Sequence, residues 1–172
     1  MRIVAGRWRG RRIEAPTGSL VRPTADRVRE AWLSIVQLHI ADARVLDLFA
    51  GSGALGLESL SRGARHADFV DAHPVSLRTL QANFAALGVP PQQVTVHRSD
   101  VLKFLDALGD DVYDLAFADP PYAEPLAAAV AERWLARPFA RVLGIEHDSR
   151  TPMPAGGDLR RYGVTALTFY RR

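Results

Sequence analysis

The sequence predicts an α/β fold in which a mostly parallel sheet carries helices on both faces. From residue 44 onward, short apolar runs alternate with stretches in which apolar residues recur at helical spacing. The last two apolar runs are separated only around Gly163, too few residues for a helical crossover, so this C-terminal strand pair should be antiparallel. We therefore expect one domain over residues 1–172, with a basic N-terminal hairpin and helix extension (1–43) and a core (44–172).

The N-terminal extension is predicted to contain a β-hairpin and one helix. Gly6 and Gly10 allow a tight turn within residues 1–14. Thr24 can cap a helix over residues 25–38, because threonine is a favoured N-cap residue. Apolar residues recur in that helix at three- and four-residue spacing, at Val28, Ala31, Trp32, Ile35 and Leu38. We expect Trp32 to lie in the core.

The core is predicted to alternate strands with helices. The helix after Pro74 is the clearest, because proline is favoured in a first turn and Gly88 follows as the stop. The predicted strands are 44–48, 67–71, 93–97, 112–118, 140–146, 159–162 and 164–170. The predicted helices are 53–62, 74–87, 101–108 and 123–136.

The composition excludes several kinds of chemistry. The chain has no cysteine, so disulfides, thiolate metal sites and cysteine nucleophiles are excluded. Its five histidines lack metal-binding spacing, and we expect no metal site. No apolar run approaches the roughly 20 residues that span a bilayer, and the N-terminus lacks the apolar region of a signal peptide. These features predict a soluble cytoplasmic protein with no membrane partner.

Basic residues cluster at both ends of the chain. Residues 1–44 hold nine arginines against four acidic residues, and residues 150–172 hold five against one, whereas the middle is acidic. No acidic residue occurs among the first thirteen, which suits contact with nucleic-acid phosphates. Such contacts would position a nucleic acid without reading its sequence, and the candidates are Arg7, Arg9, Arg11 and Arg12. A merely solvated chain end is the alternative.

A glycine-rich loop follows the first core strand, from Asp47 to Gly56, and opens a helix. Gly51, Gly53 and Gly56 satisfy a dinucleotide-binding pattern, and Asp71 follows Gly51 by twenty residues, so an NAD-dependent oxidoreductase is one interpretation. Asp47 argues against it, because a carboxylate at the mouth of the loop repels a pyrophosphate. S-adenosylmethionine has no phosphate and carries an ammonium and a sulfonium, which suit a nearby carboxylate. The loop resembles that of the class I S-adenosylmethionine-dependent methyltransferases.

This resemblance implies cofactor contacts at the ends of three strands. It assigns the methionine part of the cofactor to Asp47, Phe49, Gly51 and Gly53. Asp71 would hold the ribose hydroxyls, and Ala72 would border the adenine. Asp100, followed by Val101, would accept a hydrogen bond from the adenine amino group. A strand-end or helix N-cap role without any ligand is the alternative for both aspartates.

The motif Asp119-Pro120-Pro121-Tyr122 is the most specific in the chain. Consecutive prolines restrict the backbone, so the Asp119 carboxylate and the Pro120 carbonyl are held in one geometry. An exocyclic base amine is a poor nucleophile because its lone pair is delocalised, and these two acceptors can turn that lone pair toward a methyl donor. Tyr122 offers a face on which a flipped base can stack, with a half-buried loop tyrosine as the alternative. The motif resembles that of amino-methyltransferases acting on adenine, cytosine or guanine.

The N-terminal residues narrow the substrate. Residues 1–12, residues 22–30 and the glycine loop resemble the RsmD family of bacterial 16S ribosomal RNA guanine-N2 methyltransferases, and the resemblance continues through the final strand pair. It implies a seven-stranded, Rossmann-like class I methyltransferase fold, S-adenosylmethionine as cofactor, and the N2 amine of one guanine in 16S rRNA of the small ribosomal subunit as substrate. The chain departs from the family in having His73 after Asp71, where a second acidic residue is common.

Some assignments stay open at this point. Arg22 and Thr24 are candidates near the cofactor or the flipped base, or else an ordinary loop arginine and a helix cap. A DNA adenine-N6 or cytosine-N4 methyltransferase would use the same chemistry, although 172 residues leave no room for a separate target-recognition domain. A non-catalytic RNA-binding module would show the same basic ends. We expect a monomer, because the predicted domain is self-contained.

Overall fold

The structure, a computed structural model, describes residues 1–17, 23–110, 112–122 and 125–172, and describes the backbone alone at 23–25. Seven strands within these ranges form one sheet. They are β1 (Arg44–Leu48), β2 (His66–Asp71), β3 (Val94–Arg98), β4 (Tyr113–Ala118), β5 (Ala140–Asp148), β6 (Asp158–Tyr162) and β7 (Thr165–Arg171). Their order across the sheet is β3-β2-β1-β4-β5-β7-β6.

The first five strands are parallel, and β7 pairs antiparallel with both β5 and β6. This arrangement confirms the predicted fold class, including the antiparallel C-terminal pair. The strand order reverses between β1 and β4, which are neighbours in the sheet although two strands separate them in sequence. Such a reversal opens a crevice at the carboxyl ends of the strands, where ligands bind in doubly wound sheets.

The helices that the structure describes are α1 (Pro23–Ile35), α2 (Ala54–Ser61), α3 (Pro74–Leu87), α4 (Val101–Asp106) and α5 (Leu126–Ala136). The first helix differs from its prediction at both ends. It begins at Pro23, so Thr24 lies in the first turn and the predicted cap at Thr24 is wrong. It ends at Ile35, and the 3-10 turn that follows at Gln37–His39 has a shorter repeat, which leaves Leu38 96% exposed rather than on the buried face. None of these helices is long and apolar enough to cross a membrane.

Each face of the sheet has its own apolar core. Residues of α1, α2 and α3 pack on one face, and residues of α4 and α5 pack on the other. Trp32 of α1 is 1% exposed, as predicted, and meets Phe117 of β4 edge-on with ring centroids 5.4 Å apart. Gly144 of β5 leaves room for this indole, because a Cβ at that position would lie 2.3 Å from its Nε1 atom. Any larger residue at 144 would therefore push α1 away from the sheet.

The predicted N-terminal hairpin is present, with a single antiparallel bridge between Arg2 and Arg12. Its apolar side chains are buried against the first core, at Ile3, Trp8 and Ile13. The buried Glu58 carboxylate of α2 accepts the backbone N–H groups of Val4 at 2.8 Å and Ala5 at 2.9 Å. The hairpin is thus held by α2 and is not a free arm.

Candidate active site

Two adjoining cavities lie at the carboxyl ends of β1, β4 and β5. The smaller has a volume of about 250 Å³ and the larger about 860 Å³. Four residues line both cavities, namely Phe49, Gly51, Asp119 and Glu146. The two cavities are therefore neighbours in the crevice expected from the strand order, and the carboxyl-bearing residues Asp119 and Glu146 lie at their junction.

Strand register explains why acidic side chains meet there. Asp47 of β1 pairs with Phe117 of β4, so a residue two positions beyond Phe117 faces the same side of the sheet. That residue is Asp119. Glu146 of β5 follows the pair Ala118–Ile145 by one position, as Asp119 does on the neighbouring strand. Asp47, Asp119 and Glu146 consequently project from one face, and all three line the smaller cavity.

These three carboxyl groups have raised pKa values. Burial raises the pKa of Asp47 to about 7, the Gly56 N–H that donates to its Oδ2 at 2.9 Å opposes the shift, and the charge of Asp71 adds to it. Solvent reaches Asp119, yet loss of hydration within the cavity raises its pKa well above the ordinary value, and the charges of Glu146 and Asp47 raise it further. Burial also raises the pKa of Glu146. Clustered carboxylates with raised pKa values favour a bound cation and disfavour a phosphate.

The glycine loop serves two purposes. Gly51, with a φ of 54°, lines both cavities, and its N–H donates to Asp71 Oδ2 at 2.9 Å. Gly53, with a φ of 77°, lines neither cavity, and a Cβ there would lie 2.3 Å from Leu80 Cδ1. The second glycine is therefore explained by backbone conformation and by packing of α3, whereas the first lies where a ligand can approach the backbone.

The residues assigned to the adenosine part of the cofactor all line the larger cavity: Asp71, Ala72, Asp100 and Val101. Asp71 is nearly buried, and its Oδ1 accepts the His73 N–H at 2.7 Å. Asp100 is the N-cap of α4 and accepts the Lys103 N–H at 3.0 Å. Both aspartates thus make the local contacts that the alternative interpretation expects, and both also face the cavity.

The Asp119 to Tyr122 segment lines the larger cavity along its whole length. Tyr122 is 44% exposed, and its hydroxyl lies 2.7 Å from Glu146 Oε1 and 3.0 Å from Thr165 Oγ1. Burial of the hydroxyl raises the pKa of Tyr122. Sequence reasoning missed Glu146 and Thr165, although the position of Glu146 at the end of a strand beside that of Asp119 was a usable signal.

The basic residues predicted to contact phosphate fall into two groups. Arg7 donates to Gln93 Oε1 at 2.6 Å and stacks 3.9 Å above the buried Trp8 ring, while Arg11 donates to backbone carbonyls at the end of α3. The side chains of Arg9 and Arg12 are exposed and make no hydrogen bond or ion pair with any described residue. Two of the four side chains therefore have structural contacts, and two are unengaged in the described part of the chain.

Arg22 lies outside the described residues, as does the side chain of Thr24. Arg29 of α1, by contrast, is 9% exposed and lines the smaller cavity. It donates to the Arg2 carbonyl at 3.0 Å and pairs with Asp26 at 3.1 Å, so it ties α1 to the hairpin beside the site. Among the described residues, no group of three or more His, Asp or Glu side chains is arranged to hold a metal ion.

The sheet order, the glycine loop after β1 and the acidic residue that ends β2 are those of a Rossmann-like methyltransferase. Two solved structures share the fold over the whole chain. The yhhF protein of Escherichia coli has a TM-score of 0.84 and 33% identity, covering 100% of this chain and 97% of that one. The protein TTHA0928 of Thermus thermophilus has a TM-score of 0.85 and 32% identity, covering 100% and 99%.

The chain belongs to the family described as Conserved hypothetical protein 95, which matches residues 1–171. Ribosomal RNA small subunit methyltransferase D of Escherichia coli (strain K12) is 35% identical to it, over 99% of this chain and 88% of that relative. The Haemophilus influenzae protein of the same name is 32% identical, over 99% and 92%. These relatives confirm the resemblance to the RsmD family that the motifs indicated.

Proposed function

We propose that this enzyme transfers a methyl group from S-adenosylmethionine to the exocyclic N2 amine of one guanine in 16S rRNA of the small ribosomal subunit. The observation that carries the proposal is the position of Asp119. Its carboxylate, followed by two prolines, stands at the junction of the two cavities, where a cofactor and a base would meet. The names of the relatives, which specify ribosomal RNA of the small subunit, support the substrate.

The residues present suit S-adenosylmethionine. Asp47, Asp119 and Glu146 offer negative charge to an ammonium and a sulfonium, and this charge would repel the pyrophosphate of a dinucleotide. Asp47 would pair with the ammonium, and Asp71 and Asp100 would accept hydrogen bonds from the ribose and the adenine in the larger cavity. The cofactor supplies a methyl group bonded to a positively charged sulfur.

The chain's own contribution to the reaction is positioning. Asp119 and the Pro120 carbonyl each accept a hydrogen bond from one N–H of the amine, and this turns the lone pair of the amine toward the cofactor cavity. The Asp119 carboxylate also stabilises the positive charge that develops on the nitrogen, and it can take the proton that the nitrogen releases. The exposed part of the Tyr122 ring supplies a stacking face for a base taken out of its helix.

The test measures transfer of labelled methyl groups to small subunits from cells that lack the endogenous enzyme, with naked 16S rRNA and genomic DNA in parallel. We expect label in N2-methylguanosine of the subunit. Asp119→Asn should lower the single-turnover rate by about 100-fold or more, because it removes charge where charge develops. The exposed Asp110→Asn variant should be unchanged. Label in N6-methyladenine of DNA would keep the chemistry and overturn the substrate.

A further inference from the structure

Glu146 adds negative charge near the cofactor, but the methyl transfer as proposed gives it no contact with the base. It lies one position beyond the last β4–β5 pair, as Asp119 does, and neighbouring parallel strands are about 4.8 Å apart. It lines both cavities, and its charge raises the pKa of Asp119. Two carboxylates therefore stand side by side where the base amine would enter.

The Glu146 side chain is held in place on one oxygen. Tyr122 donates its hydroxyl to Oε1 at 2.7 Å, and the Tyr122 oxygen is within 3.0 Å of Thr165 Oγ1. Thr165 is 8% exposed and anchors this arrangement to β7. No described residue donates to the other oxygen, Oε2, of Glu146. One oxygen is thus fixed by the protein, and the other accepts no hydrogen bond from a described residue although the side chain lines both cavities.

The pattern of donors beside the amine differs among the bases. In guanine, the ring nitrogen N1 next to the N2 amine carries a hydrogen. In adenine and cytosine, the ring nitrogen next to the amine is an acceptor without a hydrogen. Two adjacent carboxylates accept hydrogen bonds and donate none when ionised, so they match only the guanine pattern. An acceptor facing Glu146 would be repelled by its charge.

Resting on the proposed function, we propose that Glu146 is the specificity-determining residue of this site, accepting the guanine N1–H through Oε2 while Asp119 holds the neighbouring N2 amine. This assignment accounts for a choice that the Asp119 to Tyr122 motif does not make by itself. Tyr122 then has two roles: its ring stacks on the base, and its hydroxyl holds Glu146 in position.

The experiment compares guanine with 2-aminopurine, which keeps the amine at C2 but has an unprotonated N1 and no oxygen at C6, so variants of Glu146 are needed to assign a difference to N1. Small subunits are reconstituted with ligated 16S rRNA that carries either base at the modified nucleotide. Wild-type enzyme should methylate guanine faster by about 10- to 100-fold, the range expected for one hydrogen bond to a charged group. Equal rates on the two bases with wild-type enzyme would overturn the proposal, whatever any variant does.

Two variants separate a specificity role from a structural one. In Glu146→Ala, the rate on guanine should fall by about 10- to 100-fold while the rate on 2-aminopurine changes little. In Glu146→Gln, the amide can donate to the unprotonated N1, so the preference for guanine should shrink or reverse. The exposed Glu132→Gln variant of α5 is the matched control and should keep the wild-type preference.

Calorimetric measurement of S-adenosylmethionine binding tests whether each variant retains a folded cofactor site. A fall of the same factor on both bases would show that Glu146 acts only on the amine or on the fold, which would refute the specificity role. Failure of the wild-type enzyme to methylate subunits that contain guanine would refute the proposed function instead, so the two failures are distinguishable.

Discussion

The Asp47 carboxyl is only 2% exposed, and its environment raises its pKa from 3.8 to about 7. A group whose pKa is higher in the folded state binds its proton more tightly there, so its contribution to stability is greatest at low pH and is lost as pH rises toward 7. The ligand-free enzyme consequently carries a destabilising charge at neutral pH. Binding of a cation beside Asp47 offsets this cost, which links the stability of the fold to occupation of the site.

We expect Asp47→Asn to be more stable than the wild type, with a difference that widens by about 2 to 3 kcal/mol between pH 5 and pH 8. The asparagine oxygen can still accept the Gly56 N–H, so the loop contact is kept. Urea unfolding at several pH values measures the difference, and calorimetry should show weaker binding of S-adenosylmethionine. A stability difference independent of pH would mean that Asp47 does not titrate between pH 5 and pH 8.

At the scale of elements, Glu58 of α2 joins the N-terminal hairpin to the core. Its carboxylate is fully buried, accepts two hairpin N–H groups, and pairs with Arg62 at 3.0 Å. Glu58→Ala leaves those donors and the arginine without their partner, and we expect a loss of about 3 kcal/mol in the free energy of unfolding. Denaturant unfolding measures this loss, and the control is Glu132→Ala at an exposed position of α5, which should stay within about 0.5 kcal/mol of wild type. A loss as small as that of the control would show that α2 does not anchor the hairpin.

The ends of helices and strands were predictable from the sequence where nearby residues mark them. Helix α3 matches its predicted range at both ends, because Pro74 and Gly88 mark its limits, and β1 matches as well. The end of α1 was not predictable, because Leu38 continues the helical spacing and only the tighter turn after Ile35 exposes it. Glu146 was missed for a different reason, since its place beside Asp119 depends on which strands become neighbours in the sheet.

At the scale of the whole molecule, the hairpin runs from the carboxyl ends of the parallel strands to their amino ends. Met1 lines the smaller cavity at the carboxyl ends, whereas the N–H of Arg7 donates to the Ser61 carbonyl at the end of α2, beside the amino ends. A five-residue strand such as β1 spans about 17 Å from one end to the other. An RNA that reaches both the site and the hairpin turn must therefore extend well beyond the target nucleotide, as it does in a ribosomal subunit.

The two unengaged arginines of this hairpin give a test of that extended interface. Replacing Arg9 and Arg12 by Ala should leave the free energy of unfolding within about 0.5 kcal/mol of wild type, because neither side chain makes a hydrogen bond or ion pair with a described residue. Removing one arginine that binds a phosphate should flatten the slope of log K for subunit binding against log salt by about 0.7 to 0.9, hence by about 1.5 for both. Calorimetry should show unchanged S-adenosylmethionine binding.

The control variant, with Arg141 and Arg150 replaced by Ala, removes two exposed charges from β5 and the turn after it. An equal change of slope in that control would assign the effect to net charge, and no change in either variant would exclude the hairpin turn from RNA binding.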